Sequence, residues 1–206
     1  MIITNIEAFM NGKSKVFIDE QLAFVLYKGE LSRYKLRVGE DITAEIYDKI
    51  LKEVILKRGK ARGLYLLQSK ERTEQEVRNK LKQNFYPEDI IDQVIDYLIS
   101  YRYIDDNRYT RMYIEYKSRR RSKAKICQEL MQKGISKSFI MDIYEEIDNN
   151  KDIELIRKFI EKKSLKEEMT SVDIQKLYQQ LFRKGFQYDD IRTIIQEFFD
   201  CHKIGN

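Results

Sequence analysis

The apolar positions of this chain change period near residue 43. Before it they fall in short runs: Met1 to Phe9 is rich in isoleucine, Val16-Phe17-Ile18 opens a second run, and Leu22 to Tyr27 is a candidate third strand. Asn11-Gly12 separates the first two runs and is the strongest short-range hairpin signal, because both residues accept left-handed backbone. Asp19-Glu20 marks a further turn. From Thr43 onward Ile46, Ile50, Leu51 and Val54 recur at spacings of three and four, the period of a helix with one buried face. Residues 1–56 therefore read as a small β-hairpin module followed by a helix.

The remainder repeats itself. Val77 and Leu81 lead to Phe85, then Ile91 and Val94; Ile126 and Leu130 lead to Gly134, then Ile140 and Ile143; Leu177 and Leu181 lead to Gly185, then Ile191 and Ile194. The offsets are four, four, six and three each time. Each segment is preceded by another apolar stripe at helical spacing: Leu64 and Leu67; Tyr109, Met112, Tyr113 and Tyr116; Leu155, Ile156, Phe159 and Ile160. The pattern predicts three repeats of three short helices, over 57–104, 105–149 and 150–206. Thr73-Glu74-Gln75-Glu76 forms a capping box ahead of the first middle helix, and Thr170 with Asp173 can do the same in the third. Pro87 suits the first position of a third helix, while Gly134 and Gly185 suit left-handed caps at the ends of middle helices. A unit of about 50 residues buries little surface by itself. The expected fold is thus mainly α: three tandem units stacked into an elongated, curved array behind the N-terminal hairpin and helix.

Several ordered motifs in this frame resemble one family. Tyr101-Arg102-Tyr103-Ile104-Asp105-Asp106-Asn107-Arg108-Tyr109 resembles the signature of RecX proteins, in which glycine, an aromatic residue and Ile or Leu precede two aspartates and a further aromatic residue. Arg72 through Leu81 resembles the family's first repeat; Arg121-Ser122-Lys123 and Leu130 through Gly134-Ile135 resemble its second. The likeness spans roughly residues 60–195. Two positions depart from it, Arg102 where the family has glycine and Thr110 where it has alanine, both read as lying at a helix boundary or on a helix surface. The resemblance implies a regulator of the RecA recombinase that binds the RecA filament on single-stranded DNA and limits its growth and activity, without catalysis. Tyr103, Ile104, Asp105, Asp106 and Tyr109 would then be signature residues with a structural, capping role.

Charge sharpens the picture. The whole chain carries only +5, yet residues 108–125 hold Arg108, Arg111, Lys117, Arg119, Arg120, Arg121, Lys123 and Lys125 against the single acid Glu115. Basicity gathered in one repeat is what a polyanion footprint requires, so these eight residues are the expected contacts to DNA or to the filament. Ser122 is a candidate N-cap, which places Lys123 and Lys125 in the first turn of a helix, where positive charge opposes the helix dipole by ~0.3–1 kcal/mol each. A bound phosphate at that N-terminus would reverse the cost. Asp105-Asp106 reads as a helix cap rather than a metal or acid–base pair. The stripe Tyr109, Met112, Tyr113 and Tyr116 reads as core, leaving Tyr101 the least constrained of the aromatic residues.

Composition removes other classes. There is no glycine-rich phosphate loop, no nucleophile beside a base and no His/Cys cluster, so no catalytic residue, cofactor or metal is expected. Cys127 and Cys201 lack metal-ligand spacing and read as small core residues of a reducing compartment; His202, the single histidine, reads as a solvated terminal residue. No apolar run approaches the ~18 residues of a membrane span, so a soluble, cytoplasmic monomer is expected. The competing reading is a helix-turn-helix DNA-binding regulator. It needs basic recognition helices, but the third helices begin Glu88-Asp89, Ser138-Phe139 and Asp189-Asp190 and continue with Asp92, Asp142, Glu145 and Glu146. A protein-binding helical array, with the basic stretch on an acidic protein surface, overlaps with the first reading.

Overall fold

The computed structural model describes residues 1–147, 151–163 and 170–203, with side chains described as far as Phe198. Cys201 and His202 therefore lie outside the described side chains. The chain divides into two compact units, Met1–Asp105 and Asp106–Asn206.

The first unit opens with an antiparallel sheet of three strands in sequence order, β1 (Ile3–Phe9), β2 (Lys13–Ile18) and β3 (Gln21–Tyr27). The β1–β2 turn closes with Asn11 and Gly12 at φ 61° and 73°, and the β2–β3 turn consists of Asp19 and Glu20 at φ 47° and 66°. Both are the left-handed pairs that match the twist of a tight hairpin. The candidate third strand is thus a full member of the sheet. A short helix α1 (Lys28–Arg33), which the apolar pattern did not announce, follows β3. Ser14, Val16, Ile18, Phe24 and Leu26 point to the buried face.

One continuous helical segment then runs through α2 (Ala44–Ile50), a π-helical stretch (Leu51–Leu56) and α3 (Lys57–Ser69). With α4 (Glu74–Lys82) and α5 (Glu88–Ser100), α3 forms the first repeat. The sheet and this repeat share one apolar core, from Ile3 through Val77, Leu81, Ile91 and Val94 to Ile104. Arg58 also binds the sheet to α3: its guanidinium donates to the Val25 carbonyl at 2.9 Å and to the Glu30 carboxylate at 2.5 and 2.6 Å.

The second unit holds α6 (Asp106–Lys117), α7 (Lys123–Gln132) and α8 (Lys137–Ile147), then α9 (Asp152–Lys163), α10 (Ser171–Arg183) and α11 (Tyr188–Lys203). Each triplet keeps its own apolar core, one around Ile114, Ile126, Leu130, Ile140 and Ile143, the other around Ile156, Leu177, Leu181, Ile191 and Ile194. The apolar repeat positions read from the spacing of the middle and third helices are buried.

The ends of the middle helices agree in detail. Thr73, Ser122 and Thr170 each accept a hydrogen bond from the backbone N–H three residues on, and Thr73 and Thr170 do so within capping boxes closed by Glu76 and Asp173. Each middle helix then stops on a left-handed residue, Phe85 (φ 62°), Gly134 (φ 90°) or Gly185 (φ 87°). The residue after it donates back to the helix: Tyr86 to Leu81, Ile135 to Leu130 and Phe186 to Leu181, at 3.1–3.3 Å. That is the Schellman closure, with its apolar residue following the cap. Pro87 is the N-cap of α5 rather than its first residue, a shift of one position.

Within the first repeat α3 approaches α5 closely through Gly59 and Gly63. A Cβ at Gly59 would lie 2.8 Å from Val94 Cγ2, and one at Gly63 would lie 2.7 Å from Leu98 Cδ1, both side chains being fully buried. Alanine gains up to ~1 kcal/mol of helix propensity per site, against ~1–3 kcal/mol for overpacking a filled interface. The expected outcome is that Gly59→Ala/Gly63→Ala unfolds at lower temperature and denaturant than the parent. Equal or greater stability in equilibrium denaturation would show that α5 yields to the added methyl groups.

Candidate functional site

The basic stretch bends around the α6–α7 turn, and two buried serines pin that turn. Ser118, 3% exposed, donates to the Glu115 carbonyl at 3.2 Å, while Arg120 and Arg121 donate their backbone N–H groups to the Lys117 carbonyl at 2.9 and 3.0 Å. Ser122, 1% exposed, caps α7 and also donates to the Lys184 carbonyl at 2.7 Å, at the end of α10. Gly185 is needed there twice over. It is left-handed, and a Cβ on it would come within 2.9 Å of Ser122 Oγ. Arg119 and Arg120 are thus held outward between two serines turned inward.

The eight basic side chains are not equivalent. Arg111 is paired with Glu146 of α8 and also donates to Asn107, and Arg121 is paired with Glu129 of α7. Glu129 in turn accepts the Tyr113 hydroxyl at 2.7 Å. Arg108 is exposed at the start of α6 and already engaged. The Lys117 ammonium lies over the rings of Tyr113 and Tyr116 at 5.6 and 5.4 Å, the Lys123 ammonium over Tyr144 at 4.7 Å, and Lys125 donates to Gln128 at 2.9 Å. Arg119 and Arg120 are exposed and have no side-chain partner among the described residues. The structure therefore gathers Lys117, Arg119 and Arg120 at the tip and assigns Arg111 and Arg121 to internal pairing.

The N-terminus of α7 is not left for a phosphate. The Asp152 carboxylate, from the first residue of α9, accepts the Lys123 N–H at 2.9 and 3.2 Å. This corrects the expectation that an external anion would reverse the cost of two lysines in that turn: the anion is internal. Asp152 is only 6% exposed, and burial pushes its carboxyl above the usual range despite the Lys123 N–H and the Lys123 charge, which pull it down; nearby Asp190 pushes it further up. A groove of about 850 Å³ lined by Cys127, Met131, Met141 and Asp190 runs beside it. Cys127 is a free, buried thiol, in keeping with a small core residue.

The signature residues take structural places. Ile104 is buried, and Asp105 immediately precedes α6, which begins at Asp106. Arg102 adopts φ 57° at the end of α5, with Tyr103 donating to the Leu98 carbonyl at 2.8 Å, so the left-handed closure survives without glycine. Tyr97, Tyr101 and Tyr103 form a ladder with centroids 4.9 and 6.3 Å apart, and Tyr101 and Tyr103 are exposed.

Two readings of α6 are corrected. Thr110 is wholly buried rather than on the helix surface, its hydroxyl donating to the Asp106 carbonyl at 2.7 Å. Met112 and Tyr116 of the supposed core stripe are exposed, while Tyr109 and Tyr113 do pack against the core; the buried positions are Thr110 and Ile114, with Ser118 just past the helix. Small hydroxyl residues that satisfy themselves on the preceding turn are invisible to a search for apolar spacing.

Three triplets of helices, two with self-contained cores and one bearing a pinned cationic turn, define a helical-repeat protein. The family models described as the RecX first, second and third three-helix domains match residues 60–98, 105–142 and 150–195. The chain belongs to the RecX family. It is 32% identical over 203 residues to the regulatory protein RecX of Clostridium botulinum (strain Eklund 17B / Type B), covering 95% of each chain. Its identity to that of Caldanaerobacter subterraneus subsp. tengcongensis is 30% over 198 residues, covering 95% of this chain and 98% of the other. A crystal structure of regulatory protein RecX superposes with a TM-score of 0.63 at 25% identity, covering 95% of this chain and 98% of that one. The crystal structure of RecX from Lactobacillus salivarius superposes with 0.59 at 28% identity, covering 69% and 96%. The two relatives and the first of the two structures are named as regulatory proteins, and the family is one of regulators. Among the described residues no helix is long and apolar enough to cross a membrane.

The Asp152 joint yields a test with a sign. A folded-state carboxyl raised above its unfolded value contributes stability that is fully present below the unfolded pKa, ~3.9, and is lost as pH rises through the folded value. Asp152→Asn keeps an oxygen for the Lys123 N–H and has no charge to desolvate, so its stability should be the flatter between acid and neutral pH. Asp152→Ala should cost ~1–3 kcal/mol by leaving a buried N–H without an acceptor. Denaturant titrations at acid and neutral pH check both; parallel curves for Asn and the parent would remove the assignment.

Proposed function

We propose that this protein binds the RecA filament on single-stranded DNA and inhibits or modulates the recombinase, with the α6–α7 turn among its contacts. The observation that carries the reading is the pair Arg119 and Arg120, exposed and without a side-chain partner among the described residues. They stand between the buried Ser118 and Ser122, with Lys117 and Tyr116 alongside. An arginine fork is the side chain best matched to phosphate or carboxylate, and a rigid turn lowers the entropy lost on binding. Lys123, Lys125 and Arg108 supply further positive field around that tip; Arg111 and Arg121 act chiefly as props. RecA enters through the family, and single-stranded DNA enters through the charge.

The helix-turn-helix alternative fares worse. Each third helix is acidic, and one acid in each is paired with a cation of its own repeat: Asp92 with Arg78 at 2.5 Å, Glu146 with Arg111, and Glu197 with Arg157 at 2.7 Å. A recognition helix would have to present such a surface to phosphate-lined grooves.

ATP hydrolysis by RecA on single-stranded DNA, titrated with this protein well below one copy per protomer, tests the activity; inhibition is expected, and none at equimolar protein would sink it. Arg119→Ala/Arg120→Ala should bind the filament more weakly, with a shallower slope of log affinity against log salt. The slope should fall by about one for each phosphate that is no longer neutralised. An unchanged affinity and slope would clear the turn of any role. Arg121→Ala should differ in kind, lowering stability by loosening Glu129.

A further inference from the structure

The first unit holds a cavity that the regulatory reading does not use. It has a volume of about 570 Å³ and lies between the less buried face of the sheet, α3 and the turn after α4. Lys13, Arg58 and Arg62 line it, and none of its lining residues is acidic. Arg58 is spoken for by Glu30 and the Val25 carbonyl. Arg62 is not. Its Nε is enclosed without a hydrogen-bond partner, and the guanidinium's one contact among the described residues is the ring of Tyr65, 5.3 Å away. Arg62 is itself half-buried, so its charge sits at the cavity wall with one nitrogen out of reach of water and no carboxylate beside it.

The backbone carries a second, independent observation. Phe85 occupies the left-handed position that repeats two and three fill with glycine. A bulky side chain there is strained and is held by the hydrogen bonding and packing around it. Here it delivers an aromatic ring to the cavity wall, edge-on to Phe9 at 5.3 Å, beside Tyr86. The amides of Asn11, Gln83 and Asn84 complete the wall. The charges of Arg58 and Arg62 both pull the Tyr86 phenol down against the burial that pushes it up, so both cations lie near that hydroxyl.

We propose that this cavity binds a nucleotide, its phosphate on Arg62 and Lys13 and its base among Phe85, Tyr86 and the amides. A phosphate dianion suits several cations without an acid better than a single carboxylate does, and Arg62 offers it a bidentate fork. Flat aromatic walls with amide donors and acceptors suit a base, and the volume lies within the usual range for small-ligand sites. The nucleotide is either free or one unit of a single strand. The inference does not rest on the RecA reading, since it uses other residues in the other unit.

Calorimetric titration of the full chain at low ionic strength with deoxyadenosine 5′-monophosphate is the test. Arg119→Ala/Arg120→Ala serves as the background for a parallel titration with a short deoxyadenosine oligonucleotide. Saturable binding is expected, weakened about tenfold or more by Arg62→Gln, as removal of a charged hydrogen bond implies. Phe85→Gly should also weaken it while keeping the cap, since glycine is native to that place in the other repeats; its melting curve verifies the fold. Tighter binding of the oligonucleotide per site, abolished in Arg62→Gln, identifies the strand as the source, and equal binding identifies the free nucleotide. The proposal is overturned by the absence of binding to either probe, or by inorganic phosphate or an acidic hexapeptide binding as well as the mononucleotide. Parental affinity in both folded cavity variants overturns it too.

Discussion

Every repeat in this chain depends on one backbone event, the left-handed residue that ends its middle helix. At that residue the chain reverses, the next amide returns to the helix, and the apolar side chain after the cap enters the core. The position of the third helix, and hence the burial of Ile91, Ile140 and Ile191, follows from it. Glycine is the inexpensive solution and serves at Gly134 and Gly185. Phe85 and Arg102 hold the same geometry with side chains, at about 1–2 kcal/mol apiece. That the closure survives at both places shows that hydrogen bonding and packing around it outweigh the local strain.

A second joint recurs at one place in each third helix, where a side chain meets a cation from the first helix of its repeat. Lys60 lies over Tyr97 at 4.4 Å, Arg111 pairs with Glu146 and Arg157 with Glu197. These pairs are partly exposed and contribute no more than ~1 kcal/mol each. Their larger effect is on charge. They consume cations of α6 and acids of α8, so the field of the second repeat is set by what remains at the turn. Arg119 and Arg120 stand out because neighbouring charges are satisfied, rather than because the region is basic throughout.

The repeat register was legible because fixed apolar spacing, hydroxyl caps and glycine closures are all local and all agree. The hairpin strands, the third-helix acids and the Arg102 position were legible for the same reason. What escaped depends on partners distant in the chain. The Gly59 and Gly63 approach reports on Val94 and Leu98; Asp152 caps a helix that starts 29 residues earlier. Thr110 and Ser118 were hidden because a hydroxyl bonded to its own helix buries like a small apolar group. Tyr116 misled in the opposite direction, since a large ring at helical spacing can sit over a lysine at the surface as well as in a core.

The treatment of anions separates the two units. In the second, the most anion-hungry backbone, the start of a helix carrying two lysines, receives an internal carboxylate from the following repeat. That choice also ties the turn to the third repeat, because Ser122 and Lys123 are bonded to α10 and α9 respectively. The cost is a buried Asp152, tolerable because its partners are backbone and lysine together. In the first unit Arg58 receives Glu30 by the same logic, yet Arg62, one turn further along α3, receives no carboxylate among the described residues. Of the two α3 cations that line the aromatic-walled cavity, one is thus held by a carboxylate and the other keeps its charge at the cavity wall.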